Sequence, residues 1–175
     1  MNADDADEEF YQRSSALIRV PFITAMTLDE LKQRLYDAGC SPNNYHIGEP
    51  EGANDVYCLA KRDGRFHLFY TERGQDYPPE KTFDDEAEAC RYFHDFIMQM
   101  RHLHLVGFFQ LPDSLQRHAH FLHQHGLATI TDQILYHGPD DWRYRLFVEG
   151  PAIFTVRQML PSLPLNDQSE LPHAD

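Results

Sequence analysis

The sequence predicts an α+β fold in which antiparallel β-hairpins and sheet pack with helices in two small modules. Three observations carry this expectation. Runs with period-2 alternation, such as Phe66–Glu72 and Arg143–Glu149, read as half-buried strands. Asp-Gly and Gly-Pro turn signals follow or separate them. Segments with apolar residues at helical spacing and capping residues at their starts flank the strands, which suits helices set against antiparallel sheet.

The first helix is expected near Thr27–Ala38. Thr27 and Glu30 match a capping box, Leu28, Leu31 and Leu35 share a face, and Gly39 stops it. Extended pieces follow at Tyr45–Ile47 and Val56–Ala60. Lys61-Arg62-Asp63-Gly64 is a hairpin turn, because Asp-Gly supplies positive φ angles. Phe66–Glu72 is the return strand, with Phe66, Leu68 and Tyr70 on one face. A loop at 74–79 leads to a short strand, Lys81–Phe83, and Asp84 or Asp85 caps a helix running to about Met100. The second module opens on an apolar strand, Leu105–Gln110. Asp113 with Gln116 reads as another capping box, for a helix ending at His125-Gly126. Strands at about 128–136 and 143–149 and a last helix at 152–160 complete it. The expected division is an acidic disordered arm at 1–10, an α-β-β-β-α module at 11–101, a β-α-β-β-α module at 102–160 and a disordered tail at 161–175, too poor in apolar residues to fold.

Charge narrows the partners. The chain of 175 residues carries 28 acids against 15 Lys and Arg, a net of −13. Such a field disfavours phosphate and argues against nucleic acid, and it fits a basic partner. No run approaches the roughly 20 apolar residues needed to span a bilayer, and the first ten residues lack a basic n-region followed by an apolar one, so the expectation is a cytoplasmic protein with no membrane partner. Cys40, Cys58 and Cys90 are odd in number and widely spaced, which suits small buried hydrophobes better than a disulfide framework.

Chemistry-bearing constellations are few. Seven of the 11 histidines lie between His94 and His125, and His120 and His123 have a spacing that shares a helix face. They lack a third ligand in any metal pattern, and a solvated helix face explains them as well. Asp84, Asp85, Glu86 and Glu88 resemble a hydrolytic cluster, yet they fall in the first turn of a helix, where carboxylates cap and complement the dipole. Asp140-Asp141 sits in a turn. No G-x-S-x-G, P-loop or G-x-G-x-x-G occurs. The expectation is therefore no enzyme, with no catalytic, cofactor or metal site.

What remains is surface. Glu72–Glu88 holds seven acids against Arg73 and Lys81, a net of −5, with Tyr70, Tyr77 and Phe83 interleaved. Aromatic anchors in a charged rim are the composition of a protein–protein hot spot. The partner-binding candidates are Tyr70, Glu72, Asp76, Tyr77, Glu80, Asp84, Asp85, Glu86 and Glu88. The alternative is that the aromatics pack inward and the acids solvate a loop. Eight acids lie in the two expected floppy ends, which leaves −5 for residues 11–165, the same excess as this one segment.

Tyr57-Cys58-Leu59, then Tyr70-Thr71-Glu72-Arg73-Gly74, then Phe83-Asp84-Asp85-Glu86-Ala87-Glu88-Ala89-Cys90-Arg91-Tyr92-Phe93 form a pattern. Over about residues 54–97 the chain resembles small bacterial immunity proteins encoded beside polymorphic toxins. The resemblance implies a protein that binds and neutralises a cognate toxin or effector domain, by steric and electrostatic occlusion. It transfers no toxin-contacting residues. The competing readings are a small His-rich metal-dependent enzyme and an adaptor or chaperone for a secreted effector.

Overall fold

The computed structural model describes residues 25–160 and 162–172. The acidic arm expected at 1–10 lies outside the described residues. The fold is α+β, built on two sheets with separate apolar cores.

The first helix, α1 (Leu28–Asp37), opens on the expected capping box: Thr27 Oγ1 accepts from Glu30 N, and Glu30 accepts from Thr27 N. Leu31 and Leu35 are its buried residues. The next five elements build one sheet around the hairpin of β2 (Val56–Arg62) and β3 (Arg65–Glu72). Asp63-Gly64 makes the tight turn, with φ of 50° and 81°. Both β4 (Gln75–Asp76) and β5 (Lys81–Phe83) pair antiparallel with β3. The remaining strand, β1 (Tyr45–Ile47), departs from the antiparallel expectation: it runs parallel to β2. The connection between them, residues 48–55, turns back through Gly48, Gly52 and Asp55, all at positive φ. Such a crossover needs no helix when one of the strands is three residues long, and no hairpin signal marks it.

The next helix, α2 (Glu86–Met98), packs beside α1 on one face of this sheet, and Phe66, Leu68, Phe83, Phe93 and Ile97 fill the core between. Asp85 is its N-cap, accepting from Glu88 N at 2.8 Å. Glu86 reaches across to accept from Leu28 N at 3.1 Å, so one carboxylate ties the starts of both helices together. On the sheet's other face Val56, Cys58, Ala60 and Phe69 form a small buried cluster, with the Arg62 guanidinium 4.2 Å over the Phe69 ring.

The second half runs β6 (Leu103–Phe109), α3 (Pro112–Gln124), β7 (Ile130–Leu135), β8 (Trp142–Glu149) and α4 (Ala152–Met159). Its three strands pair antiparallel in the order β6-β8-β7. Val106, Phe109, Leu122, Leu146, Val148 and Val156 form its core with α3 and α4.

Two expectations fail here, for one reason. Residues 162–172 are packed, not floppy. Leu165 is 3% exposed and lies along the edge of β6, where Leu165 N donates to Val106 O at 2.9 Å and Phe108 N to Leu165 O at 2.8 Å. The Asp113–Gln116 capping box does not form. The N-cap of α3 is Leu111, with Pro112 at the first helical position. Its acid comes from the tail: Asp167 accepts from Gln110 N at 2.8 Å and Leu111 N at 3.0 Å. Three well-spaced leucines (Leu163, Leu165, Leu171) bury the tail against the second core, and that density is too low to register as an element.

The halves meet closely. Gly39, at φ +70°, lies against Pro151: a Cβ there would come 2.6 Å from Pro151 Cα. Tyr36 packs on Phe154 at 5.1 Å, and Arg101 donates to Glu149 at 3.1 and 2.9 Å.

Candidate functional site

The nine predicted interface residues do not form one patch. Glu72 and Arg65 stand at opposite ends of β3, about 23 Å apart at roughly 3.3 Å per residue. Asp84 lies at the Arg65 end, paired to that guanidinium at 2.6 Å, and Asp85 and Glu86 are occupied in the helix-start bonds described above. Glu88 is exposed on the first turn of α2. Glu80, also exposed, lies midway, its N–H donating to Leu68 O at 2.8 Å. Asp76 leaves the group for a different reason. Strand alternation turns it to the face of Thr71 and Phe69, where it takes 2.7 Å from Arg62 Nη2 while Glu49 holds the same guanidinium. Proximity in sequence had joined side chains that the pleat sends apart.

Tyr70, Tyr77 and Glu72 do belong together. They join a continuous aromatic ladder at the open end of the first core. Phe96 of α2 meets Tyr57 edge-on at 4.8 Å, Tyr57 packs on Tyr70 at 5.2 Å, and Tyr70 on Tyr77 at 5.7 Å. The ladder grows from half-buried rings to Tyr77, which is 50% exposed. Tyr77 N donates to Tyr70 O at 2.9 Å, which fixes the loop against β3. Glu72 lies on the same face of β3 as Tyr70, two residues on. Asp55 accepts from the Tyr70 hydroxyl, and this bond with the carboxylate's charge pushes the phenol up to about 12. The ring therefore stays a neutral donor across the physiological range.

Phe96, Tyr57 and Asp55 are additions to the sequence prediction. All three lie outside the acidic run at 72–88. A two-residue turn at Asp63-Gly64 fixes the register, and that register sets Tyr57 opposite Tyr70. Asp55 follows from the same pairing, one residue beyond the strand, at φ +63° with its N–H on Thr71 O.

The histidines of the second half are largely used in packing. His118 is fully buried, its Nδ1 bonded to Ser114 O at 2.7 Å and its ring stacked on Phe109. His125 Nδ1 bonds Phe121 O, and His123 Nε2 meets Thr129 Oγ1 at 2.7 Å, away from the exposed His120. Among the described residues no group of three or more His, Cys, Asp or Glu is placed to hold a metal ion. Asp141 accepts from Arg143 and from His137 N, as a turn carboxylate does. Cys40, Cys58 and Cys90 are free and buried. Burial pushes the Cys58 and Cys90 thiols up to about 11, opposite to the direction a nucleophile needs. No described helix is long and apolar enough to cross a membrane.

Compared with protein-family models, curated proteins and solved structures, the chain matches none.

Proposed function

We propose that the protein is a binding protein of the immunity type, which covers the basic cleft of a cognate toxin or effector domain and blocks it without chemistry of its own. The aromatic ladder ending at Tyr77, with Glu72 on its face and Asp55 at its base, is the observation that supports this reading. It combines large rigid rings, a hydroxyl donor and carboxylates at an exposed edge, which is the make-up of an interface hot spot. The rings are braced from behind by Phe96, so little side-chain freedom is lost on binding. The acids steer a cationic partner toward the rings and act on the association rate more than on the final affinity.

The test separates the two contributions. Tyr77→Ala should weaken binding to the toxin encoded beside this gene by about thirtyfold or more, the size of a hot spot of roughly 2 kcal/mol, chiefly through faster dissociation. Glu72→Lys should slow association, with a smaller effect at high salt. Asp84→Lys, at the far end of β3, should change neither by more than about twofold, the scale of an exposed surface pair. Equal effects from positions 72 and 84 would defeat the ladder as the contact surface. A stable complex that leaves the toxin active would point instead to an adaptor.

A further inference from the structure

His102, one residue before β6, and His104, within it, both reach into the junction between the halves, where they hold the chain that leaves α1. We infer that this pair is an acid-sensitive clasp, in which a neutral His102 keeps the two halves of the molecule locked.

The hydrogen bonds fix the protonation state of His102. Ser41 N can only donate, and it donates to His102 Nδ1 at 3.1 Å. Nδ1 is therefore an acceptor, and the ring proton sits on Nε2, which donates to Ile97 O at 3.0 Å. Asn44 Nδ2, itself donating to Arg101 O, lies 3.2 Å from the same Nδ1. One neutral imidazole thus joins the end of α2, the loop after α1 and β6. A second proton would set an N–H against two donors. Ser41 is 1% and His102 7% exposed, so water cannot take over the lost bond.

His104 works beside it. Its Nε2 donates to Gly39 O at 2.8 Å, the residue wedged against Pro151. Burial holds its pKa below the usual imidazole range, opposed by the Gly39 bond, with Arg157 of α4 and His102 adding repulsion. Of the other groups at the junction, the Glu149 carboxylate would attract a charged His102 ring. Glu149 of β8 is held by Arg101, and Cys40 and Tyr45 are pushed up by burial and stay neutral. Acid therefore sets an added N–H on His102 against the Ser41 and Asn44 donors.

The sign follows from proton counting. The opened state binds protons that the closed one excludes, so opening is favoured as pH falls below the unperturbed imidazole value of about 6.5. Each proton taken up raises the opening constant by up to about tenfold per pH unit. Amide exchange of Ser41 in the full chain, corrected for intrinsic rate and referenced to the amides of α2, reads this directly. Between pH 7.5 and 5.0 the ratio should rise about tenfold per unit or more in the acid part of the range. His102→Gln retains one acceptor for Ser41 N and one donor for Ile97 O, and it should flatten that slope markedly. A flat ratio in the unmodified protein, or an undiminished slope in H102Q, overturns the clasp. Should H102Q not fold, imidazole ¹⁵N shifts of the unmodified chain decide: a doubly protonated His102 while Ser41 remains protected also overturns it.

Discussion

Asp167 should matter more than its place near the end of the chain suggests. Its carboxylate accepts from Gln110 N at 2.8 Å and Leu111 N at 3.0 Å, at the start of α3, where Leu111 gives no side-chain cap. Replacement by alanine removes two charge-assisted bonds and the negative charge at a helix N-terminus. A lost N-cap costs about 1 kcal/mol and up to about 2. Asp167 is half-exposed, so solvent recovers part of the larger charged-bond value, and the expected loss is about 1–2 kcal/mol. The effect has a pH signature. Burial raises the Asp167 carboxyl pKa, but the N–H groups of Gln110 and Leu111 and the Ser114 hydroxyl outweigh it and leave it lowered. The stabilisation is complete above the unfolded value of about 3.9 and disappears as pH falls through the folded one. Urea unfolding of the D167A variant at pH 7 should show the loss, and unmodified protein and variant should converge in acid below about pH 4. A variant as stable as the unmodified chain at pH 7 would mean that the tail is only laid on the surface.

Gly39→Ala must place a Cβ 2.6 Å from Pro151 Cα at φ +70°, whereas Gly126→Ala has a similar φ of +76° and open space. G126A should lose about 1 kcal/mol from backbone strain and G39A about 2–4 kcal/mol, measured by denaturant midpoints. Equal losses would show that Gly39 is conserving only a turn and not the junction. The thiols of Cys40, Cys58 and Cys90 are buried, and burial raises all three pKa values. A disulfide reagent at pH 8 should find none of them in the native protein and all three in guanidinium, and a fast-reacting native thiol would contradict the packing.

How much of this was legible in the sequence depended on whether the signal was local. The Thr27–Glu30 box, the Asp85 cap and the Asp63-Gly64 turn each lie within four residues, and each formed where propensity placed it. The Asp113–Gln116 box was equally local but lost to Pro112 at the first helical position and to an acid 56 residues beyond the N-cap, Asp167. The parallel β1 and the docked tail share that non-local character. Their partners are strand edges, and nothing in their own sequence names an edge. The nine predicted interface residues separate because a run of acids in sequence is not a surface. Alternation along β3 and β4 sent Asp76 toward Arg62, and helix capping consumed Asp85 and Glu86. The buried histidines carried the opposite lesson: in sequence the cluster passes for a solvated helix face, while these nitrogens answer backbone carbonyls and amides.

The central claim is neutralisation by occupancy, and growth measures it most directly. On the proposed function, a toxin domain encoded beside this gene, induced in cells with and without this protein, should arrest growth alone and permit it in company. The Tyr77→Ala variant, expressed to the same level, should protect poorly. Rescue by the unmodified chain together with loss of rescue in Y77A is the predicted result. Arrest despite a stable complex, or full rescue by a Y77A and Glu72→Lys double variant, would contradict the account.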